Sequence, residues 1–496
     1  MMTLHEALAL LDGAGTLVGD GATRVERVHT DTRTLEPDDL FVALRGERFD
    51  GHDFLPQARA AGAAAVLAER GVAASGLPGL QVADALAALR QLAAAWRRRH
   101  RAARLVAVTG SNGKTTVTQM IAAILRAWLG PDALATKGNL NNHIGVPLTL
   151  LRLRDLPAHR VGVLELGTNH EGEIATLARW VAPDVALVNN TQREHQEFLL
   201  GLDAVARENG SVIEALGAEG VAVFPLDDPG TALWRRLAGA RRTLCFALAA
   251  DADASSISAA EVRGRAHWHD GVSGVWRLVI ETDDARIETR VAAAGVHNAR
   301  NALAAAACAL ALGVPHEAIA RGLAAFSPVA GRSRVIALQR QGRALQLVDD
   351  SYNANPDSVL AAIDLLAGLP APHWLLLGDM AEVGAEGPQF HAEVGRHARA
   401  RGIEAVWTFG AQSVHAAREC GGRHFDSIDE LLAALPAGVP EAASILVKGS
   451  RSMRMERVVQ ALVQASGSAI GSVAAPTSGL AARATPGQDG GDAHAA

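Results

Sequence analysis

The chain has 496 residues, of which 49% are hydrophobic and 20% are charged, and its formal net charge at pH 7 is −6. This composition is typical of a globular protein with roughly three domains, and the slight excess of acid excludes a general basic field for nucleic acid. The three cysteines have no metal-ligand spacing, the N-terminus lacks a signal-peptide pattern, and the longest apolar run, 302–314, is too short to cross a bilayer. We therefore expect a cytoplasmic protein that is not inserted in a membrane.

The first hundred residues contain short strands and helices, of which Leu40–Leu44 is the clearest predicted strand. A helical pattern that begins near Ala83 ends in the basic run Arg97–Arg101. The helix dipole favours cations at the C-terminal end of a helix, so we interpret this run as a solvated helix end and not as a binding patch. The first domain is predicted to span residues 1–104.

From residue 104 onwards, short apolar strands alternate with helices, which is typical of a parallel sheet covered on both faces. The central domain, 105–328, has predicted strands at 105–110, 161–167, 184–190 and 220–228. A turn-rich stretch precedes the third domain, 329–465, with predicted strands at 345–350, 374–379, 405–410 and 444–449. Residues 466–496 have few large apolar side chains, which predicts a disordered tail. The fold class is therefore α/β, with a small N-terminal α/β domain, a central domain built on a mostly parallel sheet, and a Rossmann-like C-terminal domain.

The run TGSNGKTT follows the first strand of the central domain and precedes a helical pattern that stops at Gly130. A strand, a glycine loop and a helix N-terminus together place backbone N–H groups around an anion. Lys114 offers a charge to the β- and γ-phosphates of a nucleotide, and Thr115 offers an oxygen to Mg²⁺. The common nucleotide motif has glycine at position 108, where this chain has valine, so the loop is the shorter GxxGKTT. The residues predicted to bind phosphate are Thr109, Gly110, Ser111, Asn112, Gly113, Lys114, Thr115 and Thr116.

This shortened loop resembles that of the Mur ligase family, and the resemblance extends to about residue 465. It is carried further by HTDTRTLEPDDLFVALRGERFDGHDF (29–54), TKGNLNNHIGVPLTLLRL (136–153), ELGTNHEGEI (165–174), SYNANP (351–356), GDMAEVG (378–384) and VKGSRSMRMERVV (447–459). SYNANP and GDMAEVG resemble the member that adds D-alanyl-D-alanine to UDP-N-acetylmuramoyl-tripeptide during peptidoglycan synthesis. The resemblance implies a P-loop ATPase fold for the central domain, a uridine-nucleotide-binding first domain, and a monomeric ligase that uses ATP and Mg²⁺ to form an acyl phosphate.

Other functions stay open at this point. One is a related amide ligase, either the member that adds the third residue, whose Asn-Pro-Arg signature is absent, or an enzyme like folylpolyglutamate synthase. The other is a non-enzymatic nucleotide-binding scaffold, for which one departure argues: Asn209 stands where many members carry a lysine that is carbamylated to support a metal. A second Mg²⁺, if the protein uses one, must then be held by Glu208 or by water. The sequence leaves open whether the tripeptide ends in diaminopimelate or lysine.

The resemblance also assigns roles at the nucleotide site. It implies catalytic roles for Lys114, Glu165, His195 and Arg332, and metal ligation by Thr115, Glu165 and His195. It places Asn298, Asn301, Arg332 and Asp350 around the nucleotide, with Asn301 near adenine and Asp350 near ribose. By residue type alone, His195 would be interpreted as a surface or hydrogen-bonding side chain and Asn298 as a helix cap. Because the nucleotide is bound between two domains, we expect the third domain to close over it.

Contacts with the substrates are expected in three groups of residues. The uridine nucleotide is expected at Thr32, Arg33, Arg48, Asp50, Gly51 and His52. The muramyl peptide is expected at Asn141, Asn142 and His143. The remaining substrate contacts are expected at Tyr352, Asn353, Asn355, Lys448, Ser450 and Arg451, of which the last three are suited to a carboxylate or phosphate. Asn355 followed by Pro356 is also typical of an N-cap and first helical residue, which predicts a structural role for Asn355.

Overall fold

The computed structural model describes residues 1–249, 254–269, 274–340, 343–438 and 441–466. Three large sheets follow one another along the chain and are covered by helices, so the predicted α/β class is confirmed. Within the described ranges, no helix is both long and apolar enough to cross a membrane. Apart from Ser466, the predicted disordered tail lies outside the described residues.

The N-terminal part contains a five-stranded sheet in the order β2-β7-β6-β5-β4, parallel except for β2, and a separate β1-β3 pair. The strands are β1 (Met2–Thr3), β2 (Thr16–Val18), β3 (Arg24–Val25), β4 (Arg27–His29), β5 (Asp39–Val42), β6 (Ala65–Ala68) and β7 (Gly79–Gln81). The helices are α1 (Leu4–Leu10), α2 (Leu55–Ala60), α3 (Val72–Ser75) and α4 (Ala85–Arg99). The strand predicted at Leu40–Leu44 is β5, and the predicted helix is α4.

The central part is a nine-stranded sheet in the order β16-β15-β14-β13-β12-β11-β8-β10-β9. The strands are β8 (Arg104–Thr109), β9 (Leu134–Ala135), β10 (Val161–Glu165), β11 (Val185–Val188), β12 (Val221–Pro225), β13 (Arg242–Leu248), β14 (Val262–His269), β15 (Val275–Glu281) and β16 (Arg286–Val291). The helices are α5 (Lys114–Leu129), α6 (Gly145–Leu150), α7 (Glu173–Val181), α8 (Leu202–Glu214), α9 (Thr231–Ala238), α10 (Ala254–Ala259), α11 (Val296–Ala311) and α12 (His316–Ala324). Only β15 and β16 run antiparallel to their neighbours, so the sheet is mostly parallel, as predicted.

The C-terminal part is a six-stranded sheet in the order β17-β18-β22-β19-β20-β21, in which all neighbours except β17 and β18 are parallel. The strands are β17 (Arg334–Arg340), β18 (Arg343–Asp350), β19 (His373–Gly378), β20 (Ala405–Phe409), β21 (Arg423–Phe425) and β22 (Ser444–Lys448). The helices are α13 (Pro356–Ala367), α14 (Gly387–Ala400), α15 (Val414–Cys420), α16 (Ile428–Gly438) and α17 (Glu456–Ala465). The strands predicted for this part correspond to β18, β19, β20 and β22.

The packing of α4 contradicts one interpretation of the sequence. Arg98 and Arg99 are exposed, as expected at a helix end, but Arg97 is only 1% exposed. Helix α4 packs against α6 and α7 of the central part, so one side of its last turn is buried in an interface. The guanidinium of Arg97 donates to the carbonyl oxygens of His100 and Val181, each at 2.8 Å. Burial lowers the pKa of Arg97 to about 10, which leaves it a cation at neutral pH.

A single hydrophobic cluster continues from the N-terminal part into the central part. It includes Leu67 of β6, Trp96 of α4, Leu105 of β8 and Leu177 of α7. Burial of this apolar surface stabilises the contact between the two parts by roughly 25 cal/mol per Å². The predicted domain boundary at residue 104 is crossed by this continuous core. Both domain boundaries, at 104 and at 328, stay predictions.

The order of the strands brings the polar strand ends together. Strands β10, β8 and β11 are neighbours and parallel, so Glu165, the loop after Thr109 and Asn189 emerge at the same edge of the central sheet. In the C-terminal sheet, β18 and β22 are parallel neighbours in which Asp350 pairs in register with Lys448. Ligands of parallel sheets bind beyond such carboxyl ends. The two edges face each other across one cavity.

Candidate active site

A cavity of about 1570 Å³ lies between the central and C-terminal parts. It is lined by many of the residues that the sequence singled out: Ser111, Asn112, Gly113, Lys114, Thr115, Thr116, Asn141, Asn142, His143, His195, Asn298, Asn301, Arg332, Asp350, Tyr352, Asn353, Asn355, Lys448, Ser450 and Arg451. Glu165 is buried and contacts the lining residues Thr115 and Asn141, Gly110 accepts a hydrogen bond from Lys114, and Thr109 is fully buried. The tertiary structure thus brings together residues that are up to 340 positions apart, which is the arrangement of a site for large ligands.

The glycines of the phosphate loop are required by its backbone. Gly110 has φ +127° and Gly113 has φ +80°, both in the region that favours glycine. A Cβ atom on Gly113 would lie 2.5 Å from Oδ1 of Asn301, and one on Gly110 would lie 2.9 Å from the backbone nitrogen of Asn189. The loop is therefore packed tightly against β11 and α11. Helix α5 begins at Lys114, so its free N–H groups point toward the cavity and favour an anion there.

Lys114 is held by three acceptors. Its ammonium donates to the carbonyl oxygens of Gly110 at 2.5 Å and Ser111 at 3.0 Å, and to the carboxylate of Glu194 at 3.1 Å. An ammonium group has three protons, so all its hydrogen-bonding capacity is used. The lysine is thus placed over the loop where it can exchange partners with phosphate oxygens.

Glu165 has the properties of a cation ligand. It is 2% exposed, and its Oε1 atom accepts hydrogen bonds from the hydroxyl of Thr115 at 3.1 Å and from the amide of Asn141 at 2.7 Å. Its Oε2 atom is buried and has no hydrogen-bond partner among the described residues. A buried carboxylate oxygen without a partner is costly unless a cation binds it. A carboxylate, a hydroxyl and nearby phosphate oxygens are the ligands that Mg²⁺ prefers.

His195 is oriented by a residue of the C-terminal part. Its Nδ1 atom lies 2.6 Å from a carboxylate oxygen of Glu382, and this contact holds the pKa of Glu382 below its usual value. A histidine that donates Nδ1–H to a carboxylate presents the lone pair of Nε2, which is the usual arrangement behind a metal ligand. His195 has φ +47° and Glu382 has φ +59°, so two residues in the left-handed region meet at this contact. Within the described part of the chain, however, no three His, Cys, Asp or Glu side chains are grouped closely enough to bind a metal by themselves.

The first turn of α11 supplies two amides to the same edge. Asn301 lies 5% exposed, accepts a hydrogen bond from Asn189 at 3.0 Å and donates one to Asn298 at 3.1 Å. Asn298 also donates to the carbonyl of Ala294 at 2.7 Å. The N-cap of α11 is Gly295, so Asn298 is not a simple cap. Their role toward a nucleotide stays a prediction.

The residues of the C-terminal part form a second polar surface. The guanidinium of Arg332 lies over the ring of Tyr352, 4.2 Å from its centroid. Asp350 is bound by the ammonium of Lys448 and by the backbone N–H of Ser333. Burial acts against ionisation of Asp350, but the adjacent Lys448 cation holds its pKa below the ordinary value. Lys448 is 3% exposed and donates to Asp350 and to the carbonyl of Asn353, which uses two of its three protons, so its contact with a substrate anion stays a prediction.

Asn355 has the structural role that the sequence predicted. It is the N-cap of α13 and forms a capping box with Ser358. Its side chain also exchanges hydrogen bonds with Asn112 of the phosphate loop, at 2.9 and 3.3 Å. The cap of α13 thus links the C-terminal part to the phosphate loop.

Arg193 and Glu194 are important residues that the sequence analysis missed. Arg193 binds Asp357 and Glu393 of the C-terminal part through its guanidinium, with distances from 2.7 to 3.2 Å. Glu194 contacts Lys114. The one available signal was the polar run 189–195 directly after β11, and residue type alone did not reveal the partners.

Glu208 does not line the cavity, and the suggestion that it supports a metal stays a prediction. Its carboxylate accepts hydrogen bonds from the backbone N–H groups of Gly172 at 2.7 Å and Ile174 at 2.8 Å, so it stabilises the start of α7. Asn209, the next residue, is fully buried and faces the phosphate loop, where its Oδ1 atom accepts a hydrogen bond from the N–H of Gly110 at 2.9 Å. The two neighbours on α8 therefore have separate structural partners.

The candidates for uridine binding do not line the large cavity, although Glu47 from the same region does. Arg33 is exposed and paired with Asp31, which lowers the pKa of Asp31 to about 2. Asp50 is the N-cap of a short 3-10 helix, and His52 is buried beside it. A uridine-binding role for Thr32, Arg33, Arg48, Asp50, Gly51 and His52 therefore stays a prediction.

Comparison with known families matches three consecutive segments of the chain. The Mur ligase family, catalytic domain, matches residues 24–97. The Mur ligase middle domain matches residues 108–309, and the glutamate ligase domain matches residues 331–451. The matched segments include both edges of the cavity.

Individual relatives match over nearly the whole chain. The UDP-N-acetylmuramoyl-tripeptide–D-alanyl-D-alanine ligase of Escherichia coli (strain K12) is 41% identical over 464 residues, which are 93% of this chain and 98% of the relative. The ligase of the same name from Bacillus subtilis (strain 168) is 34% identical, over 89% and 94%. Among solved structures, MurF from Acinetobacter baumannii has a TM-score of 0.81 at 32% identity, covering 93% of this chain and 98% of that one. The MurF ligase from Thermotoga maritima in complex with ADP has a TM-score of 0.73 at 25% identity, covering 90% and 98%.

Proposed function

This chain belongs to the Mur ligase family, and from that premise we propose that it joins D-alanyl-D-alanine to UDP-N-acetylmuramoyl-tripeptide while converting ATP to ADP and phosphate. The reaction completes the pentapeptide precursor of peptidoglycan. Relatives that carry this name cover almost the full length of the chain, and SYNANP and GDMAEVG are the motifs that favour this member over other amide ligases.

One observation carries the proposal. The phosphate loop around Lys114, the amides at the start of α11 and Arg332 of the C-terminal part all line one cavity. Its volume of about 1570 Å³ is larger than the usual range for a single small molecule, which is about 300–1,000 Å³. A nucleotide and the reacting end of a peptide therefore fit side by side.

The chemistry follows from the poor reactivity of a carboxylate. A carboxylate oxygen of the tripeptide attacks the γ-phosphorus of ATP, the bond to the β-phosphate oxygen breaks, and ADP leaves. The free amine of D-alanyl-D-alanine then attacks the acyl carbon, inorganic phosphate leaves with the bonding electrons, and the nitrogen loses one proton. Bringing anions together is the main obstacle, so the residues contribute chiefly by positioning and by positive charge. Lys114 and the N-terminus of α5 supply this charge from one side, and Arg332 supplies it from the other.

We further propose that the nucleotide binds together with Mg²⁺. The residues that would hold it are Thr115 and Glu165, whose buried Oε2 atom has no partner among the described residues, and His195, which Glu382 orients. When bound, Mg²⁺ withdraws charge from the transferring phosphoryl group. Asn301 is proposed to contact adenine and Asp350 to contact ribose. A site built from one chain needs no partner subunit, so we propose a monomer, and the nucleotide substrates support a cytoplasmic location.

Phosphate release measured with different pairs of substrates tests the function. We expect release only when D-alanyl-D-alanine and the uridine-linked tripeptide are both present, and the tripeptides ending in diaminopimelate and in lysine are compared directly. A Lys114→Met variant should retain its thermal stability and lose about 10²–10³-fold in rate. Release with a free diamino acid as acceptor, or with a folate and glutamate, would favour another amide ligase. ATP binding without release for any pair would favour a scaffold.

A further inference from the structure

Glu194 is a buried carboxylate at the phosphate loop that the proposed reaction has not used. It is 4% exposed and lies in the loop between β11 and α8. Its Oε2 atom accepts a hydrogen bond from Lys114 at 3.1 Å, and its Oε1 atom accepts one from the side-chain amide of Asn209 at 3.2 Å. A carboxylate this deeply buried is stable only while a cation or several donors compensate its charge.

Asn209 fixes the position of Glu194 independently of Lys114. Its amide group donates to Glu194 and to the carbonyl of Val205 at 3.2 Å, and its Oδ1 atom accepts from Gly110. Asn209 is fully buried, so this network has little freedom to move. If Lys114 leaves, Glu194 stays at the loop with its charge uncompensated.

Glu194 is the most distant of the three acceptors of Lys114 and the one that lies outside the phosphate loop. The ammonium already has three acceptors, so any phosphate oxygen that it binds must replace one of them. When Glu194 is the acceptor replaced, the phosphates add negative charge close to a carboxylate that has lost its partner. Repulsion between them is removed only when another cation takes the place of Lys114.

We propose that Glu194 exchanges partners during the reaction, binding the Lys114 ammonium in the empty enzyme and a nucleotide-associated divalent cation in the loaded enzyme. The neighbouring ring of His195 supports this assignment, since its Nε2 atom lies 3.9 Å from Oε2 of Glu194 and its Nδ1 atom is held by Glu382. The unpartnered buried oxygen of Glu165 lies at the end of β10, which β8 separates from β11, at the same edge of the sheet. The inference rests on the proposed function and adds a residue to its cation site.

Direct binding measurements on the full-length protein test the exchange. ADP binding is measured by calorimetry without divalent metal, and Mn²⁺ binding to the ADP complex is measured by electron paramagnetic resonance. For Glu194→Gln we expect metal-free ADP to bind as tightly as to the wild type or more tightly, because the carboxylate that competes with the phosphates for Lys114 is gone. We expect Mn²⁺ affinity to fall by about 10- to 100-fold, the usual cost of losing a group that supports a metal site.

Two further variants separate this role from a structural one. Glu194→Asp retains a carboxylate and should keep more of the Mn²⁺ affinity than Glu194→Gln. Glu208→Gln removes a buried carboxylate from α8 and should leave the affinities for ADP and Mn²⁺ unchanged. The carboxylate of Glu208 accepts hydrogen bonds from the hydroxyl of Thr168 and from the backbone N–H groups of Gly172 and Ile174. Thermal melting of each variant shows that it is folded.

The outcomes distinguish the inference from the function on which it rests. Wild-type Mn²⁺ affinity in Glu194→Gln, or weaker metal-free ADP binding in it, would overturn the exchange while leaving the ligase function intact. A wild-type protein that fails to bind ADP or to release phosphate with the proposed substrates would instead overturn the proposed function.

Discussion

Replacing Arg193 by methionine is expected to open the cavity by releasing the C-terminal part from the central part. The guanidinium donates two hydrogen bonds to Asp357 and two to Glu393, and Arg193 and Asp357 are each about one quarter exposed. Methionine keeps the apolar stem and the backbone N–H bond to Asp357 but removes the charge. Both acids lie on helices of the C-terminal part, so every lost bond crosses between the two parts.

The size of the effect follows from partial burial. Exposed ion pairs contribute about 0–1 kcal/mol, and breaking a buried pair costs about 3–5 kcal/mol. For a half-buried pair with two acids we expect about 2–3 kcal/mol, which shifts the ratio of open to closed molecules by roughly 30- to 150-fold. If a nucleotide binds the closed form, its apparent Kd is the intrinsic Kd divided by the fraction of closed molecules, so a smaller closed fraction gives a higher apparent Kd.

Small-angle X-ray scattering of the empty protein and calorimetry with ADP measure the two consequences. The variant should have a larger radius of gyration without nucleotide and a higher Kd for ADP. Arg401→Met is the matched control, because Arg401 pairs with Asp364 inside the C-terminal part at 2.9 Å. An Arg193→Met protein with the scattering profile and ADP affinity of the wild type would refute the reasoning.

Three other changes test separate features. Arg97→Met should lower the free energy of unfolding by about 3–5 kcal/mol in urea denaturation, since it leaves buried carbonyls without a donor. The control Arg98→Met should change this free energy by less than about 0.5 kcal/mol. Equal effects of the two changes would contradict the structural role of Arg97. Asn355→Ala should cost about 1–2 kcal/mol through the lost cap of α13, whereas Asn355→Asp should recover most of this in thermal melting. Burial raises the pKa of Cys245 to about 11 and also raises that of Cys308, so Ellman's reagent at pH 8 should modify these two thiols only after denaturation. Cys420 is half-buried, so fast labelling of more than one thiol per folded chain would show that the buried thiols are accessible.

The features that the sequence predicted well depend on short-range physics. Apolar strands such as 105–110 were recognisable because a strand covered on both faces needs apolar residues on both. The phosphate loop was recognisable because Gly110 and Gly113 have positive φ, and a Cβ atom at either position would lie within 3 Å of a neighbouring group. Asn355 was recognisable as a cap because its partner, Ser358, is three residues away.

Other features were decided only by contacts between distant parts of the chain. Arg97 looked like a solvated helix end, and only the packing of α4 against the central part shows that it is buried. Glu208 and Asn209 are neighbours on α8, yet one stabilises the start of α7 and the other contacts the phosphate loop. Glu194 meets Lys114 from 80 positions away. The sequence around a charged side chain looks the same whether that side chain lies in water or in a cleft. The free energy of burying the charge depends on the partner that replaces the solvent, and the fold selects that partner.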